Sequence, residues 1–117
     1  MIFSQIIKKI ESSNSRLFKE TVILEQMQAN NDIFFQGLNL AYNKLLTFGV
    51  KQIPISSKDG EGLIWLEFKK IANGLINREL TGHAARDEIV NLMSKSNKDE
   101  WNFFYRRILL KDMRCGV

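Results

Sequence analysis

One stretch near the end of this 117-residue chain is apolar on two sides at once. That limits the folds open to it. At about 100° per residue, Trp101, Phe104, Tyr105, Ile108 and Leu109 share one broad sector of a helix over about 97–113. Phe103 and Leu110 lie nearly opposite that sector. Only neighbours on both sides keep such a helix from water, so it is expected to run through the middle of the fold. Ser96 and Asp99 have capping-box spacing at its start. Arg107, Lys111 and Arg114 fall together on a separate flank, the side expected to reach solvent or ligand.

The remaining segments supply the neighbours. Ile2, Phe3, Ile6, Ile7 and Ile10 share a face of a helix over about 2–12. The break from Ser12 to Ser15 offers caps for a second helix over about 15–29, built on Leu17, Leu24 and Met27. A third helix over about 32–47 places Phe34, Phe35, Leu38, Tyr42, Leu45 and Leu46 inward. Gly49, Pro54, Gly60 and Gly62 mark an ordered loop over about 48–62, with a short extended piece at Val50–Ile55. A fourth helix over about 63–77 carries Ile64, Phe68, Ile71 and Leu75. Thr81 caps a fifth over about 82–95, with Ala85, Ile89 and Leu92 inward. The expected fold is all-α, a compact bundle of about six helices in one domain spanning residues 1–117.

Composition narrows the function classes. No apolar run reaches the roughly 20 residues a membrane span needs. Cys115 is the single cysteine and His83 the single histidine, so the usual zinc ligand sets are out of reach and no internal disulfide forms. A reducing, cytoplasmic setting follows, and a monomer is expected. No residue pattern carries catalysis. Net charge is +4, with Arg106, Arg107, Lys111 and Arg114 facing only Asp112 near the end of the chain. A local basic surface attracts polyanions, DNA the commonest.

The candidate contacts are therefore phosphate contacts. Thr81 and Gly82 open a helix whose free N–H groups favour an anion, and His83 stands beside them. The competing reading is an ordinary cap and turn. Ser13, Ser15, Arg16 and Lys19 form another helix start with positive charge, and Lys51 lies in the long loop. Arg107, Lys111 and Arg114 form the basic stripe; the competing reading is a solvated flank, or pairing with Asp112 and Glu100. Gly116 lets the chain turn close to a backbone at the helix end. Trp65, Trp101 and the phenylalanines sit at core spacings. The fifth helix has too few Arg, Asn and Gln residues, and too many acids, for a helix-turn-helix reader.

Two strings carry a resemblance. The run from Arg78 to Ala85 (RELTGHAA), followed by the run from Arg106 to Gly116 (RRILLKDMRCG), resembles the N-terminal domain of ATP-dependent DNA ligases, of the T-even bacteriophage type. The likeness covers about residues 62–117 and is collinear through the Ser13–Gln26 region and the Phe48–Pro54 loop. The ending "aspartate, apolar, arginine, any, glycine" recurs in that family. The resemblance implies an all-helical DNA-binding domain lying against the minor groove at a nick, with Arg114 on the DNA backbone. It also implies that the chemistry sits in separate nucleotidyltransferase and OB-fold domains, which use ATP and Mg2+ to seal nicks in replication, repair and recombination.

This chain alone is then expected to bind nicked double-stranded DNA and the parent's catalytic domains, without cofactor or metal. It would act in the cytoplasm of a host cell if phage-encoded. The abrupt ending just past Gly116, at Val117, suggests a larger protein. Lys58-Asp59-Gly60 looks like the family's K-x-D-G motif with a residue missing, and reads as a solvated turn. The alternative function is a stand-alone small helical phage module that binds nucleic acid or another protein.

Overall fold

The computed structural model describes residues 3–29 and 31–113. Among them are six helices and no strand. They are α1 (Phe3–Glu11), α2 (Arg16–Gln28), α3 (Asp32–Tyr42), α4 (Trp65–Ile76), α5 (Gly82–Lys95) and α6. The last opens as α-helix over Lys98–Glu100, widens into a π-helical turn over Trp101–Tyr105 and returns to α-helix over Arg106–Leu110. The wide turn is closed by a bond from the Arg106 amide to the Trp101 carbonyl.

The helix apolar on two sides is central, as expected. Trp101, Phe104, Tyr105, Ile108 and Leu109 are all buried. Phe104 lies against Phe3, Phe34, Trp65 and Tyr105, with ring centroids 4.6 to 6.3 Å apart. Gly37 lets α3 approach this cluster; a Cβ there would meet Phe104 Cζ at 2.5 Å. The opposite side is covered differently. The half-buried Phe103 ring sits under two cations, Lys8 at 4.6 Å and Arg107 at 4.7 Å.

α1 is fastened to α6 by more than Ile6, Ile7 and Ile10. The Glu100 carboxylate accepts from the Ser4 amide at 3.1 and 3.2 Å and from its hydroxyl at 3.3 Å, closing the first turn of α1. Lys8 pairs with Asp99 at 2.8 Å alongside.

Several sequence expectations need correction. α2 buries Val22 and Gln26, while Leu17, Leu24 and Met27 are 55–76% exposed. That helix packs on α1 with its other face. α3 stops at Tyr42 because Asn43 is extended and its side chain accepts from the Leu45 amide at 3.0 Å, forming a local turn. Tyr42 and Leu45 therefore stand out in solvent. α4 begins at Trp65, so Ile64 is its exposed cap and Trp65 the buried residue. Asn97 caps α6 in place of Ser96, accepting from the Asp99 and Glu100 amides. α6 ends at Leu110, where Lys111 turns left-handed at φ 56. Ile2 lies outside the described residues.

The long loop is ordered without a strand. The side chains of α6 satisfy its carbonyls. Arg106 Nε donates to Ile53 O at 2.9 Å, Trp101 Nε1 to Pro54 O at 3.0 Å and Tyr105 Oη to Leu63 O at 3.3 Å. Asn102 exchanges two bonds with the backbone of Ser56. This lacing is why a stretch so poor in secondary structure holds one path.

Candidate nucleic-acid interface

Two of the three cations on the basic flank of α6, Arg107 and Lys111, have partners within the fold, where solvent or ligand was expected. The Arg107 side chain is only 11% exposed and pairs with Glu11 at 2.6 Å, with Nη1 also donating to Met113 O. Lys111 Nζ donates to Leu40 O at 2.9 Å and Asn43 O at 2.8 Å, at the C-terminal end of α3. Carbonyls at a helix end carry partial negative charge, so they hold an ammonium well. Loss of water around Lys111 lowers its pKa. Neither expected partner, Asp112 or Glu100, is the one Arg107 pairs with. Arg114 and Gly116 lie outside the described residues, as does Cys115.

The start of α5 faces outward. Thr81 occupies the N-cap position in extended backbone, and its hydroxyl makes no capping bond. Gly82 has φ 57, and a Cβ built there would meet nothing within 4 Å. Thr81, Gly82 and His83 are all exposed. The first amides of this fourteen-residue helix thus receive no cap from the Thr81 side chain, at an exposed turn. Below them Ala85, Ile89 and Leu92 anchor the helix in the core.

The start of α2 is different. Ser15 spends its hydroxyl on the Phe18 amide at 3.3 Å, an ordinary cap. Arg16 is 93% exposed beside Glu20, and Lys19 is half-buried. In the loop, Lys51 is exposed and makes no ion pair or hydrogen bond to a described residue. The structure therefore leaves Lys51, Arg16 and the α5 start outward-facing, and turns Arg107 and Lys111 to internal use. Sequence reasoning passed over Arg86, which is exposed one turn into α5. Its signal was the charge itself, four residues beyond Gly82 and so on the same helical side.

The string Lys58-Asp59-Gly60 has a structural role. Asp59 Oδ1 accepts from the Lys98 amide at 2.8 Å, and Gly60 packs on the last carbonyls of α5. Among the described residues no group of three His, Cys, Asp or Glu side chains is placed to hold a metal. No described helix is long and apolar enough to cross a membrane.

Comparison with known proteins agrees with this architecture. No family model matches the chain. In an alignment of 117 positions that covers 97% of the chain, it is 25% identical to the DNA ligase of Enterobacteria phage T4 and equally to that of phage T6. It spans 23% of the length of those ligases. Two solved structures named Pmar-Lig_Pre. and Pmar-Lig_PreS3 superpose on it with a TM-score of 0.97 at 47% identity. They are matched over 100% of this chain and 27% of theirs. The chain is thus related to phage DNA ligases and has the fold of a ligase domain.

Proposed function

We propose that this chain is the N-terminal, DNA-binding domain of an ATP-dependent DNA ligase, holding duplex DNA around a nick without reading its sequence. The observation that carries the reading is the uncapped, exposed start of α5 on a ligase-related fold. Gly82 leaves room for a phosphate to reach the helix amides, which are aligned with the helix dipole. Lys51 and Arg16 add exposed positive charge. Such contacts position a duplex and carry no base information. Arg107 and Lys111 act in this account as fold-holding residues, and Arg114 remains a candidate backbone contact.

The rest of the parent enzyme would supply the chemistry. Its nucleotidyltransferase and OB-fold domains, with ATP and Mg2+, would seal the nick in replication, repair or recombination. The setting would be the cytoplasm of a phage-infected cell. The relation to phage DNA ligases supports a ligase as the parent enzyme, and the cofactors, pathways and setting are proposed with it.

Binding titrations on nicked duplexes of unrelated sequence test the reading. Equal affinities are expected, with Lys51→Ala weakening every duplex by a similar factor. Strong preference for one sequence, or no duplex binding at all, would overturn it.

A further inference from the structure

Arg78 has an uncommon backbone and an uncommon set of partners. It sits just past α4 at φ 62, a left-handed conformation costly for a residue with a side chain. From there Nη1 donates to Leu75 O at 3.2 Å, and Nη2 donates to Thr47 Oγ1 at 2.7 Å. Gly49, at φ 70, lies against the same guanidinium, where a Cβ would collide with Nη1. Residues 31 apart in sequence are joined through one planar group.

The position of that junction matters. Arg78 lies three residues before Thr81, and the turn between them is folded back on α4 by bonds from the Glu79 and Leu80 amides to Gly74 O. Thr47 lies four residues before Lys51. The span carrying Lys51 is thus held on both sides, at Thr47 by Arg78 and at Ile53 by Arg106. Phe48, buried next to Thr47, fixes the loop's inner edge.

We propose that Arg78 is a positioning residue that fixes the Lys51 loop against the turn carrying Thr81 and Gly82, so that both meet one phosphate backbone in register. This rests on the reading of those two segments as DNA contacts. Holding Lys51 in place before DNA arrives removes an ordering cost from binding. The hydroxyl of Thr47 is the informative handle, because changing it alters no charge.

Thr47→Val is expected to weaken binding to nicked duplex by about three- to tenfold, with the salt dependence unchanged because every phosphate contact is still made. Thr47→Ser keeps the hydroxyl and is expected to bind as the native chain does. Lys51→Ala and the Lys51→Ala/Thr47→Val double variant are expected to bind equally, since the hold has nothing left to position. Native affinity in Thr47→Val, or a loss that adds in full to that of Lys51→Ala, would overturn the inference while leaving duplex binding intact. Failure of the native chain itself to bind duplex would remove the underlying reading and this inference with it.

Discussion

Arg107 Nη1 lies 2.6 Å from the Glu11 carboxylate, 96 residues away in sequence. The pair ties α6 to the end of α1 and covers one face of Phe103. Arg107 is the more buried member, so its removal leaves Met113 O without that donor and Phe103 without that cover, while Glu11 keeps access to water. Arg107→Ala is therefore expected to lower stability by about 1–3 kcal/mol, with duplex affinity little changed. Chemical denaturation beside a binding titration checks this. A stable variant that binds DNA tenfold more weakly would show that the guanidinium serves the ligand.

Lys111 makes a similar case with a different partner. Its ammonium takes the place of missing amide donors at the end of α3, on Leu40 O and Asn43 O. Lys111→Met keeps the stem and removes the donors. A loss of about 1–2 kcal/mol is expected, from melting curves, without a change in the salt dependence of DNA binding. A shallower salt dependence at native stability would contradict the internal role.

Glu100 sets an acid–base signature. Burial raises its pKa, and the bonds from Ser4 only partly oppose that. A carboxylate whose pKa is higher folded than unfolded stabilises the fold most below its unfolded pKa. That contribution is lost as pH rises through the folded value. Glu100→Gln removes this titration. Its melting temperature relative to the native chain should therefore improve as pH rises through and above the ordinary carboxylate range. Asp99, with its pKa lowered chiefly by the hydrogen bond from Lys8, has the opposite slope in both proteins, so only its repulsion with Glu100 enters the difference. A gap constant with pH would refute the assignment.

The ligase-like string Lys58-Asp59-Gly60 is expected to be inert toward ATP and important to folding. Gly60→Ala would push a methyl group into the backbone of Ser94 and Lys95, and a loss of about 2–3 kcal/mol is expected. Asp59→Ala removes the bond to the Lys98 amide, worth about 1 kcal/mol. Denaturation measures both. Incubation with labelled ATP and magnesium should leave the native chain unlabelled, and a lysine–AMP adduct would overturn the point.

Helix number and the central place of α6 were legible because apolar spacing is local. So were the bounds of α5, which Thr81 and Gly82 announce. The inner face of α2 was not. Leu17, Leu24 and Met27 have core-like spacing, yet α2 meets α1 through Val22 and Gln26 instead. The internal partners of Arg107 and Lys111 were not legible for a related reason. A charge count near residue 107 contains no sign that Glu11 arrives there, nor that the end of α3 arrives at Lys111. The outward-facing start of α5 was readable because a cap, a glycine and a free helix end are neighbours in sequence.

The salt dependence of binding to a nicked duplex tests the central claim most directly. Each neutralised phosphate contributes about −0.9 to the slope of log K against log salt, so three to five contacts give roughly −2.7 to −4.5. That slope, the same for unrelated sequences, is the expected result. An affinity unchanged from low to high salt would contradict a phosphate-gripping domain.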